Sequence, residues 1–86
     1  MKKYEITFSP KAKRALKSVS PKLKERLLEA LFELSRDIYL GKALLGKYKG
    51  YYSLRVGTFR IIYYPIKKKL VVVVIRIADR KDIYKK

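Results

Sequence analysis

The chain has 86 residues, with 23 Lys and Arg against 7 Asp and Glu, a formal charge of +16. That length makes a single domain over residues 1–86, whose small core every element must share. At 49% hydrophobic residues it is too apolar for disorder, and self-repulsion on this scale calls for a polyanionic partner: nucleic acid, an acidic protein or a membrane surface.

In chain order, YEITF at residues 4–8 alternates apolar and polar and reads as a first strand. Ser9-Pro10 and Ser20-Pro21 each open a helix, with serine as the cap and proline at the first helical position, where its missing N–H costs nothing. The first helix is expected over Pro10 to Ser18 with Ala12, Ala15 and Leu16 inward. The second is expected from Pro21 to about Tyr39, burying Leu23, Leu27, Leu31, Leu34 and Ile38 at helical spacing, with Gly41 ending it. The short break between them implies a helical hairpin. GKALLGKYKG reads as a loop. The period then becomes two, giving strands at Tyr51 to Val56, Phe59 to Tyr64 and Leu70 to Ile77, with Pro65 and Lys67 to Lys69 in the second turn. LVVVVI is apolar on both faces, which predicts a central strand covered on both sides or nearly so. The fold class is α+β, in the order β-α-α-β-β-β, with a twisted, largely antiparallel sheet and the hairpin of helices on one face.

Val56 and Phe59 bracket Gly57-Thr58, a two-residue loop suited to a type II′ turn. That register sets Arg55 opposite Arg60, and like charges directly opposed destabilise a sheet. With part of the basic tail, they make the uncovered face the candidate site. Tyr51, Tyr52, Tyr63 and Tyr64 read as core residues first, with base stacking as the alternative. The lysines of both helices suit a phosphate backbone.

Cys and His are both absent, which excludes disulfides, thiol catalysis and the commonest general base and metal ligand. Asn, Gln and Trp are missing too, and few heat-labile amides beside many lysines suit a thermophile. The first ten residues lack the apolar run of a signal peptide. LVVVVIRI is too short to cross a bilayer and is broken by Arg76. A cytoplasmic protein without a membrane partner is expected.

The element order together with LLGKYKGYYSLRVGTFRIIY and the closing IADRKDIY resembles the RelE/ParE toxin superfamily of type II toxin–antitoxin modules, over nearly the whole chain. The resemblance implies a ribosome-dependent mRNA endonuclease that uses the substrate's own 2′-hydroxyl, with no metal and no small-molecule cofactor. It implies an acidic, RelB-like cognate antitoxin as partner, besides the ribosome and mRNA. By motif, Arg60 is expected to clamp the scissile phosphate and Arg55 to add charge. Arg80 is expected to assist the leaving group, and Tyr84 to orient or stack on the substrate. Lys47, Lys49, Ser53 and Lys81 are the expected RNA-binding residues. Ser53 stands where some ribonuclease members carry Lys, and Asp79 replaces the His of the usual pair. Proton transfer therefore falls to Lys47 or Lys49, Lys81 or Tyr84. The alternatives are a ParE-like toxin that binds DNA gyrase without being a nuclease, or an inactive member acting as a nucleic-acid-binding module.

Overall fold

A computed structural model describes residues 3–82, so Tyr84 lies outside the described residues. The elements are β1 (Glu5–Phe8), α1 (Pro10–Ser18), α2 (Pro21–Arg36), β2 (Lys42–Ala43), β3 (Tyr52–Val56), β4 (Phe59–Ile66) and β5 (Val71–Asp79). The five-stranded sheet runs β1-β5-β4-β3-β2, with β1 parallel to β5 and the other pairs antiparallel. Both helices start as their sequences imply, since the hydroxyls of Ser9 and Ser20 accept from the N–H groups of Ala12 and Leu23. One face of the sheet meets the helices around Ala12, Leu27, Leu31, Leu34, Ile38, Val56, Ile61, Tyr63, Val72, Val74 and Ile77.

Several expected boundaries move, each for a local reason. α2 stops at Arg36 rather than Tyr39, because Asp37 leaves the helical region at φ −145° and its carboxylate accepts from the N–H of Tyr39 at 3.0 Å. This is the local side-chain bond by which Asp diverts a backbone from helix into turn. Ile38 is still buried. Gly41 therefore does not end the helix. It passes so close to Tyr63 that an added Cβ would lie 2.8 Å from the phenol oxygen. The expected loop contains β2, paired through Lys42 to Ser53 and Ala43 to Tyr52, and a turn of 3-10 helix at Gly46–Tyr48. Tyr51 lies just before β3. Pro65 sits within β4 instead of the turn. The β3 ladder ends opposite Tyr63, so beyond that point β4 has a strand neighbour on one side only, where proline is tolerated. Leu70 closes the turn at a left-handed φ of 55° and β5 starts one residue later.

The strand β5 is an inner strand, as expected, but it is covered on one face only: Val72, Val74 and Ile77 are buried while Val71, Val73 and Ile75 are half-buried. Its core positions are not in strict alternation. Ile62 pairs with Arg76 and Tyr63 with Val74, which leaves Ile75 as an extra, unpaired residue. A bulge of this kind shifts every later side chain to the opposite face. The carbonyl of Ile75 accepts the hydroxyl of Ser9 at 2.8 Å while that same oxygen caps α1. One serine thus starts a helix and satisfies a backbone group that a bulge leaves without its ladder partner.

Tyr63 ties the segment after α2 to the sheet. Its hydroxyl accepts from the N–H of Gly41 at 2.9 Å and donates to the carbonyl of Ile38 at 2.8 Å. Tyr63→Phe is expected to cost about 1–3 kcal/mol, because it takes the hydroxyl partner from the buried carbonyl of Ile38 and the half-buried N–H of Gly41; a urea melt reads it. Burial pushes the Tyr63 hydroxyl up to about 12, against about 10 in an unfolded chain. Its contribution is whole below pH ~10 and is lost as pH rises toward 12. Urea midpoints followed through that window should fall for the parent by an increment the Phe variant lacks.

Candidate nucleic-acid interface

The β3–β4 hairpin turns at Gly57, whose φ is +61°, while Thr58 has no positive φ. This is the signature of a type II′ turn with glycine first. Val56 pairs with Phe59 and Arg55 with Arg60. Val56 and Phe59 pack with the core, so the two arginines stand on the opposite, open face. Arg55 is exposed and Arg60 half-buried.

Arg80 joins them. Its N–H donates to the carbonyl of Thr58 at 2.7 Å, one rung past the Phe59–Asp79 pair. In that register Arg76, Ala78 and Arg80 share the open face with Arg60, and small Ala78 is the direct partner of Arg60. Two concavities meet at Arg80. One, of about 590 Å³, is lined by Lys42, Ala43, Leu44, Leu45, Ser53, Arg60 and Arg80. The other, of about 360 Å³, is lined by Arg55, Gly57, Thr58, Asp79, Arg80 and Lys81.

Ser53 is 5% exposed, and its hydroxyl is buried without a hydrogen-bond partner among the described residues. An unpaired buried hydroxyl is costly. The residue lines a groove together with Arg60, Arg80 and Lys42, while the hydroxyl oxygen itself is out of solvent reach. Asp79 organises the chain end: one carboxylate oxygen accepts from the Lys81 N–H at 3.2 Å, and the other takes a longer contact from the Thr58 hydroxyl at 3.4 Å. Where the resemblance leads one to expect an imidazole, the chain has a carboxylate that braces the turn carrying Arg80.

Arg55, Arg60, Arg80, Ser53 and Lys81 therefore line two adjoining grooves on one face. Lys47 and Lys49 are exposed at and after the 3-10 turn and line neither groove. Besides Lys81, a groove is lined by Lys42, missed because the two-residue strand β2 has no alternation to read. Its position follows only from pairing with Ser53.

The positive charge is not uniform. Lys11, Lys13, Arg14 and Lys17 are exposed on α1, which has no acidic residue. The outer face of α2 instead sets Glu25, Glu29 and Glu33 beside exposed Leu28 and Phe32, around a depression of about 560 Å³. A polyanion is drawn more strongly to α1 and the open sheet face than to this strip.

The family described as ParE toxin of type II toxin-antitoxin system, parDE, matches residues 6–84. The chain is 33% identical over 85 residues to Toxin RelG of Mycobacterium tuberculosis, covering 96% of this chain and 98% of that protein. Its structure is similar to the toxin–antitoxin complex RelBE2 of Mycobacterium tuberculosis, with a TM-score of 0.84, 32% identity and 95% and 97% of the two chains covered. The archaeal RelE–RelB complex of Pyrococcus horikoshii OT3 is similar at a TM-score of 0.73 and 25% identity, covering 93% and 97%.

The opposed arginines have a measurable consequence for stability. Arg55→Thr removes one of two like charges in direct register, a cross-strand contribution of about 0.2–1 kcal/mol. Its melting temperature should rise by about 1–8 °C at this chain length. A fall would make Arg55 a stabilising residue.

Proposed function

The chain belongs to the RelE/ParE family of toxins from type II toxin–antitoxin systems, and from that premise we propose that it is a ribosome-dependent mRNA endonuclease. The observation that carries this reading is the convergence of Arg55, Arg60 and Arg80 on two adjoining grooves of the open sheet face.

In the proposed reaction the 2′-oxygen of one nucleotide attacks the adjacent phosphorus and loses its proton. The bond from phosphorus to the 5′-oxygen of the next nucleotide breaks, and that oxygen takes up a proton. The products are a 2′,3′-cyclic phosphate and a free 5′-hydroxyl, so atoms balance without water or an oxidant. Negative charge grows on the phosphoryl oxygens as the bond forms. Fixed guanidiniums stabilise it because they are already oriented when it appears. Arg60 clamps the scissile phosphate, with Lys42 lining the same groove and Ser53 buried in its wall. Arg80, shared by both grooves, neutralises the leaving 5′-oxygen, while Arg55 and Lys81 hold the following phosphate. Tyr84 orients the substrate, and Lys47 and Lys49 meet RNA outside the grooves. An acidic antitoxin is the partner that neutralises this face in the complex, a proposal that takes support from the toxin–antitoxin complexes among the structural relatives.

One observation favours a second, non-cleaving reading in which the chain acts by binding alone. The carboxylate of Asp79 lies among Arg55, Arg80 and Lys81 and competes with a phosphate for their charge.

Primer extension on a translated mRNA separates the two. Cleavage with the parent protein, reduced about a hundredfold or more by Arg60→Ala, supports the nuclease. Intact mRNA alongside inhibited growth supports the binding reading. Ribosome association should weaken steeply with salt, each neutralised phosphate contributing a log–log slope of roughly −0.7 to −0.9. Lys11→Glu with Lys17→Glu on α1 should flatten that slope, read by sedimentation at several salt concentrations.

A further inference from the structure

The sequence carries the same dipeptide, Tyr-Tyr, at 51–52 and 63–64, and antiparallel pairing gives the two pairs opposite surroundings. Tyr52 is the register partner of Tyr63. Their rings stack at 5.4 Å and 17° on the core side, with Tyr63 fully buried. One rung further along that register, Tyr51 falls opposite Tyr64, with ring centroids 5.4 Å apart and planes inclined at 56°.

This second pair lies on the open face, in the row that continues through Ser53 with Ile62 and Arg55 with Arg60. Neither Tyr51 nor Tyr64 packs with the core cluster, and both remain half-buried rather than covered. Tyr51 is held by backbone bonds on both sides: its N–H donates to Tyr48 at 3.0 Å and its carbonyl accepts from Leu44 at 2.9 Å. The stacked inner pair spends ring faces on each other. An inclined pair does not, so a flat ring can still lie against it.

We propose that Tyr51 and Tyr64 form a stacking platform for a nucleobase of single-stranded RNA whose backbone is held by the arginines of the same face. The inference rests on the phosphate-binding reading above. Four residues of extended strand separate the Arg60 and Tyr64 positions, about 13 Å. That is further than a base lies from its own phosphate, so the stacked base belongs to a neighbouring nucleotide and not to the one being cut. Every base has a π-face, so the platform grips the strand without selecting its sequence.

The test compares two labelled probes of equal length and charge, a short mixed-sequence oligoribonucleotide and the corresponding abasic ribose-phosphate chain, by fluorescence anisotropy at one low salt concentration. The parent protein should bind the base-bearing probe about tenfold or more tightly than the abasic one. Tyr51→Val with Tyr64→Val keeps residues suited to strands and should erase that preference while leaving the abasic affinity unchanged. The phenylalanine pair should restore the preference. Where the double valine variant does not fold, each single valine change should give part of the loss. Equal binding of both probes by the parent protein overturns the platform, as does a valine variant that weakens both probes alike. Arg60→Ala should weaken both probes together. If it weakens neither while the base preference persists, the phosphate reading fails and the platform stands.

Discussion

One extra residue in β5 decides which face of the sheet bears charge. With strict alternation after Val72 and Val74, Arg76 would point into the helices and Ile77 into solvent. Burying a guanidinium there would cost several kcal/mol, a large share of a small domain's net stability. The bulge at Ile75 reverses the phase, so Ile77 completes the core and Arg76, Ala78 and Arg80 turn outward. That phase also brings Arg80 to the grooves it shares with Arg60 and Arg55. Ser9 satisfies the displaced carbonyl of Ile75, which ties the start of α1 to the same point. The core, the helix start and the cationic grooves therefore share one local irregularity.

Charge is segregated on the surface as well as abundant. The glutamates of α2 form a stripe beside Leu28 and Phe32, while α1 and the open sheet face are basic. Phe32 is flanked by cations, with Lys3 and Arg36 at 5.9 and 5.3 Å from the ring centroid, so its exposed ring is held by cation–π attraction. A chain of net charge +16 thus presents an acidic-apolar strip to one side and phosphate-attracting surfaces to others. A polyanion meets it in a limited range of orientations, because electrostatic steering follows the distribution of charge as well as its sum.

The open face also departs from what stability alone would favour. Two arginines stand in direct register, a serine hydroxyl is buried without a partner among the described residues, and at the rim Asp79, in the row of Phe59, braces the turn that carries Arg80. Departures that gather at one place while the remaining elements agree with their local sequence are the pattern expected of a functional surface. The opposite face shows the contrast: Tyr63 satisfies both backbone groups it meets, and aliphatic side chains fill the remaining core.

Much of this was legible in one dimension. Serine-proline caps start helices through bonds that span three residues, so α1 and the start of α2 could be read directly. The Gly57-Thr58 turn places its neighbours by local geometry, so the Arg55–Arg60 opposition followed from four letters. The resemblance carried by residues 44–63 and the closing segment pointed to the family. What the sequence could not express depends on partners far along the chain. The end of α2 at Asp37 was missed because apolar spacing continues to Ile38, which is buried outside the helix. The strand β2, and with it the place of Lys42, exists only through pairing with β3. The run Val71 to Val74 is alike on both faces, so only packing against α1 and α2 reveals which face is covered. The bulge that turns Arg80 outward is invisible to periodicity, because a pattern of two has no term for an extra residue until a neighbouring strand is present to leave it unpaired.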